Sequence, residues 1–540
     1  MTEPKRALPE EAGDGDAGSA AETAETDADA SEQPRRAAGP GTGRFRTSML
    51  WTVLGTVVPG LGLWRAGRRV SGAIAMGLFA ALLLTLVYLG TGGRNRITTL
   101  ATNTDVLAGL AIGFLVLAVA WVTVIATSHL ALRPPNPTTA QRITGGVLVG
   151  ALSLAVATPL AVGAEYSWST AQFLGTVFSD EEPQATGSAS PGSTTEADPW
   201  GDTDRINVLV IGGDNGGNRD VSLGLRADAV MVASIDVHTG VTTLFSLPRQ
   251  TARIPFPVDS PLHQYYPNGF YDGVNGANPE YFLNAMYNNI PERIPKDLLG
   301  DVKNLGAQVM KVGVGEALGL GTLDYYVIIN MDGFKEFINA LGGITLNVNY
   351  RIPIGGQTTE GTPPSGWIEP GPDQHLNGRL ALWYARGRYH VEGSDYSRME
   401  RQRCVINAVV QQAKPEVVLA NFEKIASAGA KTIETDIPRR VLPQMIDLAL
   451  KVKNTNLHSV VFQPGVAGWV SANPPWPAVQ RRVQQALKEA DKAEAAKTSS
   501  PSASATATAT ATKSSTRTPT KSATGKSENL SDSCAYNPQK

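Results

Sequence analysis

Three runs of predominantly apolar residues, 70–90, 106–132 and 143–166, constrain this chain more than any other feature. A helix needs about 20 mainly apolar residues to cross the hydrocarbon core of a bilayer, and each run meets that length. Residues 94–104 separate the first two, and 133–142, with Pro134, Pro135 and Pro137, separate the others. A fourth stretch, 47–64, is short and carries Pro59-Gly60-Leu61-Gly62, which breaks a helix in its middle. The pattern predicts three spans plus one re-entrant or interfacial segment, with four spans as the alternative. Cytoplasmic loops carry an excess of Lys and Arg. Arg44 and Arg46 precede the short stretch and Arg65, Arg68 and Arg69 follow it. With three spans both clusters lie inside and the rest of the chain is delivered outside, although Arg94 and Arg96 then face outward.

Residues 1–46 hold ten acids, six bases and almost no large apolar side chains, so they are expected to be a disordered cytoplasmic tail. The membrane region is expected over 47–166. Residues 178–204 contain seven acids and no Lys or Arg among Ser, Thr, Gly and Pro, as a solvated linker does. A globular domain is expected over 205–491, and 495–540 reads as a disordered Ser/Thr/Ala-rich tail. A formal net charge of −2 argues against a nucleic-acid partner. Two cysteines exclude a disulfide-rich scaffold and a multi-cysteine zinc site. The six histidines show no metal-ligand spacing.

Within 205–491, 206–211 reads as a buried strand ended by Gly212-Gly213, and 229–236 with 241–247 as a hairpin. Asn278-Pro279-Glu280 opens a helix through 287. Further strands are expected at 325–329, 344–348 and 459–462. Further helices are expected at 333–341, 376–386, 394–413, 437–453 and 478–490. This interleaving predicts an α/β fold, a mixed-sheet α-β-α sandwich preceded by transmembrane helices.

The most unusual segment is 379–403, with six arginines in 25 residues. Arg398, Arg401 and Gln402 share one helix face, and Arg386 and Arg388 close the preceding helix. Guanidinium groups stay charged and bind phosphate oxygens with two parallel hydrogen bonds, so two such groups could converge on one anion. The competing reading is a solvated face balanced by Glu392, Asp395 and Glu400. Asp214 and Asp228, near Arg226, fall at strand ends, where open α/β sheets place ligands. Two carboxylates suit Mg²⁺ completed by phosphate oxygens, though ordinary turn aspartates look the same. Arg249 follows the second hairpin strand. No phosphate-binding GxxxxGK[ST] loop, dinucleotide GxGxxG or GxSxG elbow is present, and His238 and His390 lack a nucleophile partner. Cys404 reads as a core residue of its helix, whereas Cys534 falls in the tail with no readable role.

In order and combination, these pieces resemble the LytR–CpsA–Psr family of bacterial cell-envelope proteins. The matching stretches are Asn207-Val-Leu-Val-Ile-Gly-Gly-Asp214, Arg226-Ala-Asp228, Leu247-Pro-Arg249, Asp324-Tyr-Tyr-Val with Leu341-Gly-Gly343, Leu376-Asn-Gly-Arg-Leu-Ala-Leu-Trp-Tyr-Ala-Arg-Gly-Arg388, and Asp395…Arg398…Arg401-Gln402. The Ala/Gly-rich composition also suits a high-GC actinobacterial genome. The resemblance implies a phosphotransferase that moves a glycopolymer from a polyprenyl-pyrophosphate carrier in the lipid bilayer onto a peptidoglycan acceptor. It implies Mg²⁺ held by Asp214 and Asp228. It implies pyrophosphate binding by Arg226, Arg249, Arg386, Arg388, Arg398, Arg401 and Gln402. Asp395 or an unliganded oxygen of Asp214 is a candidate for taking the acceptor's proton, and an apolar tunnel is expected to hold the lipid. The family usually has Asp after Pro-Arg, where this chain has Gln250. A non-catalytic binder of polyprenyl pyrophosphates acting as an envelope regulator, or a pyrophosphatase, are the alternatives.

Overall fold

In the computed structural model, which describes residues 40–91, 100–178, 200–201, 203–213, 226–274, 278–356, 361–392, 394–413, 433–498 and 527–538, the first apolar stretch is broken where proline and glycine demand it. Helix α1 (Pro40–Val57) ends ahead of Pro59, Gly60 adopts φ 98°, and α2 (Leu61–Arg65) restarts the helix. A Cβ on Gly60 would collide with the backbone of Gly72, so glycine is what lets this turn lie against α3 (Arg69–Thr91). Helix α4 (Thr104–Leu132) is capped by Asn103, and α5 (Thr139–Val177) opens with a capping box of Thr138 and Gln141. Among the described residues, α3, α4 and α5 are the three helices long and apolar enough to cross a membrane.

Two expected boundaries are corrected here. The N-terminal tail does not stay irregular to 46, because α1 starts at Pro40, a residue pre-set for the first helical position. The last membrane helix does not end at 166. Hydroxyls of Ser167, Thr170 and Thr176 bond back to the carbonyls of Gly163, Tyr166 and Gln172, which lets polar residues extend α5. The end of the expected linker is also folded: Trp200 is buried against Ile206 and Val208.

The remaining chain forms β1 (Arg205–Gly213), β2 (Ala227–Asp236), β3 (Thr242–Leu247), α6 (Pro261–Tyr265), α7 (Leu283–Asn289), α8 (Leu305–Leu318), β4 (Tyr325–Asn330) and α9 (Met331–Ala340). It continues with β5 (Ile344–Val348), β6 (Ile352–Ile354), β7 (Gly366–Ile368), β8 (Gly371–Leu376), α10 (Gly378–Arg386) and α11 (Ser394–Gln412). The chain then forms β9 (Ile433–Thr435), α12 (Leu442–Lys453), β10 (Leu457–Val461), α13 (Trp476–Thr498), β11 (Glu528–Asn529) and α14 (Leu530–Ser533). Seven strands pair in the order β11-β10-β3-β2-β1-β4-β9. β1 runs antiparallel to β2 and parallel to β4, so the sheet is mixed. The helix expected from 278 to 287 splits into a 3₁₀ turn, Pro279–Tyr281, and α7, because Phe282 is extended between them.

Alternation along the strands places layers on both faces of the sheet. Leu209 and Ile211 of β1, with Phe245 and Leu247 of β3, pack against α7, α8 and α13. Val208 and Leu244 face the other way, toward Leu448 and Val452 of α12. Burying Lys311 in α8 completely would be costly without partners. Its Nζ donates to the Asp324 carbonyl at 2.9 Å and to Asp436 Oδ2 at 2.7 Å. Burial raises the Asp436 pKa above its ordinary value even though Lys311 opposes the shift. The folded state therefore holds this proton more readily than the unfolded state, and the associated stability is lost as pH rises between the two pKa values. Lys311→Met removes the opposing charge and is expected to cost about 3–5 kcal/mol at neutral pH. The deficit should shrink on acidification, as read from urea midpoints at several pH values.

The tail is corrected as well. Although 499–526 lie outside the described residues, β11 extends the sheet beside β10, Leu530 is fully buried, and Cys534 is disulfide-bonded to Cys404. The bridge spans a sequence separation of 130 residues, and closing a loop of that size restricts the unfolded chain. Replacing both cysteines by serine is expected to lower unfolding free energy by about 2–5 kcal/mol, measured by denaturant titration without reductant.

Candidate active site

Four segments from two distant parts of the chain meet at one end of the sheet. β2 opens with Asp228, β3 leads into Pro248-Arg249, α10 ends at Arg386 just before Arg388, and α11 begins with Asp395 and Arg398. Asp395 lies in the first turn of α11, where the helix dipole favours a carboxylate. It acts as a hub. Arg249 Nε donates to Asp395 Oδ2 at 3.1 Å, and Arg388 and Arg398 approach Oδ1 at 3.3 and 3.5 Å. Arg249 Nη1 also donates to Asp228 Oδ1 at 2.6 Å. Arg398 Nη2 donates to the Asp228 carbonyl at 2.9 Å.

The electrostatics of this cluster favour a further anion. For Arg249, burial works against the charged form, but the carboxylates of Asp228 and Asp395 outweigh it and raise the pKa. For Arg388 the balance is reversed: burial and then the adjacent Arg249 charge lower its pKa, and Asp395 compensates only in part. Arg398 is 2 % exposed, and its Nε has no hydrogen-bond partner. A buried, unsatisfied guanidinium N–H is expensive unless a ligand completes it.

Arg398 also lines a cavity of about 160 Å³. Its walls are largely apolar, including Val210 and Met231 of the sheet, Leu382 of α10 and Val405 of α11, and its polar edge is formed by Asp228, Arg386, Arg398 and Gln402. A space of this kind accepts a hydrocarbon chain attached to a charged head group.

The structure places the expected residues unevenly. It brings together Asp228, Arg249, Arg388, Asp395 and Arg398, with Arg386 and Gln402 lining the cavity. Arg386 Nη1 contacts the Met331 sulfur. Arg401 is different: its guanidinium bonds the carbonyls of Tyr384 and Gly387 and the hydroxyl of Tyr350. It thus braces the turn that carries Arg386 and Arg388. Arg226 lies half-exposed in an ion pair with Glu280 at 2.9 Å, outside the Asp395 cluster. Asp214 lies outside the described residues. Gln250 is exposed, and Arg249 is positioned by Asp228 and Asp395 without it. No sequence signal separated the role of Arg401 from that of Arg398.

Among the described residues no group of three or more His, Cys, Asp and Glu is arranged to hold a metal. Asp228 alone borders the cavity, and Arg249 takes up one of the several lone pairs its carboxylate offers. A hard cation that draws most of its ligands from phosphate and water is compatible with such a donor.

Fold and site define an α/β domain preceded by three helices long and apolar enough to cross a membrane, with an arginine-rich cluster beside an apolar cavity. The chain belongs to the LytR_cpsA_psr family, whose model matches residues 173–492. It is 29 % identical over 270 residues to the polyisoprenyl-teichoic acid–peptidoglycan teichoic acid transferase TagU of Enterococcus faecalis, covering 48 % of this chain and 73 % of that protein. It is 33 % identical over 115 residues to the corresponding TagV transferase of Bacillus subtilis, covering 21 % of this chain and 29 % of that one. The crystal structure of B. subtilis TagV aligns with 53 % of this chain and 97 % of its own, with 21 % identity and a TM-score of 0.35.

Proposed function

We propose that this protein is a phosphotransferase that moves a glycopolymer from a polyprenyl-pyrophosphate carrier onto peptidoglycan at the outer face of the membrane. The observation that carries this reading is the gathering of Arg249, Arg388 and Arg398 around Asp395, with Arg386 and Arg398 lining an apolar cavity beside them. The cavity takes the prenyl chain and the guanidinium groups take the diphosphate. The relatives, named as polyisoprenyl-teichoic acid–peptidoglycan teichoic acid transferases, support the same class of donor and acceptor.

Phosphoryl transfer depends mainly on positioning and charge stabilisation. An acceptor hydroxyl attacks the phosphorus that carries the glycan. The bond from that phosphorus to the bridging oxygen breaks, polyprenyl phosphate leaves, and a phosphodiester remains. Arg249 and Arg388, oriented by Asp395, hold the diphosphate, and Arg398 donates to its oxygens from the cavity side. Asp395 keeps the guanidinium groups aligned and is the candidate to receive the acceptor's proton. Mg²⁺ at Asp228 would supply further neutralisation of phosphate charge when bound. The Cys404–Cys534 bridge supports an oxidising, extracytoplasmic location, as do Arg133 and Arg142, which flank the connection between α4 and α5 on the side opposite the domain under three-span topology.

The test uses the full chain in nanodiscs with Mg²⁺, a polyprenyl-pyrophosphate glycan and peptidoglycan fragments. Mass spectrometry should find glycan joined to peptidoglycan through phosphate. Release of glycan phosphate and polyprenyl phosphate without a joined product would indicate a pyrophosphatase, and binding without turnover would indicate a regulator.

A further inference from the structure

We propose that residues 527–538 form a clasp that positions α11, and through it the anion-binding arginines; the phosphotransferase reading enters only in choosing pyrophosphate as the reporter ligand. This segment reaches the domain after a stretch whose composition reads as a tail, yet it is fastened at every step. The Ser527 N–H donates to Glu489 of α13 at 3.2 Å. Glu528 and Asn529 pair with Ser459 and His458 as the edge of the sheet. Leu530 is fully buried in the cluster that holds Leu244 and Leu457. Asn347 Nδ2 donates to the Cys534 carbonyl at 3.0 Å, and the Asn537 N–H donates to Asn349 Oδ1 at 2.7 Å.

What the clasp grips is the back of α11. Cys534 is bonded to Cys404, two residues beyond Gln402 and one turn beyond Arg401. Arg403, nearly inaccessible, donates to Ser459 Oγ at 2.7 Å on the strand that β11 extends, with Glu528 4.0 Å away. Arg401, Cys404, Ser533 and Cys534 line a second cavity of only about 20 Å³, room for about one water. The mechanical path is short. The segment holds Cys404 and the strand that anchors Arg403, α11 holds Arg401, and Arg401 grips the carbonyls of Tyr384 and Gly387. Those residues flank Arg386 and precede Arg388. Arg398 and Gln402 ride on the same helix. A guanidinium fork must be placed within a few tenths of an ångström to make both of its hydrogen bonds, so loosening α11 weakens anion binding before the domain unfolds.

The experiment compares oxidised and dithiothreitol-reduced full-length protein in nanodiscs, well below the melting temperature, alongside the Cys404→Ser/Cys534→Ser pair. Hydrogen exchange of 394–412 should accelerate on reduction at least tenfold more than that of β1 and β2. Affinity for inorganic pyrophosphate should fall about tenfold, and reoxidation should restore both. For transfer, the donor KM should rise with kcat largely kept. Equal exchange and equal pyrophosphate affinity in the two redox states would overturn the clasp. So would an acceleration spread evenly over the domain, which would mark the bridge as a general stability staple. Should the serine pair fail to fold, reversible reduction of the native protein still decides. If the oxidised protein binds no pyrophosphate, the phosphotransferase reading fails, and the exchange of 394–412 alone judges the clasp.

Discussion

Arg398→Ala is expected to lower kcat/KM for glycan transfer at least 1000-fold, about 4 kcal/mol of transition-state stabilisation, in a protein that still folds. Folding should survive because Arg398 is a poorly satisfied buried cation, and removing such a charge together with its desolvation cost is often neutral. Asp395 keeps Arg249 and Arg388 as partners in the variant. Catalysis should not survive, because Arg398 lines the cavity and brings its positive charge to the Asp395 cluster while Nη2 is tied to the Asp228 carbonyl. Lysine at 398 has one point charge and cannot span both positions, so Arg398→Lys should recover no more than about tenfold. Arg401→Ala provides the contrast. It strips two carbonyls and a tyrosine hydroxyl of their donor, so it should lower thermal stability and activity together. Measuring melting temperature beside kcat/KM for the three variants separates the two roles. Arg398→Ala with more than a tenth of wild-type activity would remove the central support for the proposed function.

The sequence displayed some of this architecture and concealed the rest for physical reasons. The break at Pro59-Gly60 and the three spans were readable because bilayer length and proline geometry act locally. So were β1 to β3 and the stop of α9 at Gly342-Gly343, where both glycines take positive φ. Helix α8 was not readable. It is buried on almost every side, so the 3.6-residue alternation of a surface helix is absent, and its glycines suggest a turn. They are there for close approach: a Cβ on Gly315 would strike the Gly321 carbonyl. The C-terminal clasp was hidden by averaging, since a dozen folded residues sit at the end of a long low-complexity stretch. At the site, the order of arginines and aspartates along the chain picked out residues several of which the fold brings together. Helical spacing set Arg398 and Arg401 on one face as equivalents, and only the tertiary positions of Tyr384 and Gly387 distinguish them. The loss of the usual aspartate at Gln250 looked like a defect in the setting of Arg249. The structure shows that Asp228 and Asp395, more than 140 residues apart in sequence, already hold it.

The second large effect belongs to the cavity rather than the charges. Ala229 lines its floor on β2, with Gly212 of β1 beside it. Ala229→Phe adds on the order of 100 Å³ of side chain to a space of about 160 Å³, so it should occupy most of the room that the proposed function assigns to a prenyl chain. Filling an apolar void normally leaves stability unchanged or raises it by up to about 2 kcal/mol, so the variant should melt at or above the wild-type temperature. Each buried methylene of a lipid contributes about 0.8 kcal/mol, and excluding even four of them removes roughly 3 kcal/mol of donor binding. The KM for a polyprenyl-pyrophosphate donor should therefore rise at least 100-fold. Inorganic pyrophosphate, which uses only the guanidinium groups, should bind within about threefold of wild type. That split assigns the two halves of the donor to two halves of the site. A parallel loss of pyrophosphate binding would mean that the ring displaced Asp228 and its arginines, whereas unchanged KM for the lipid donor would show that the prenyl chain lies elsewhere and that this cavity has another purpose.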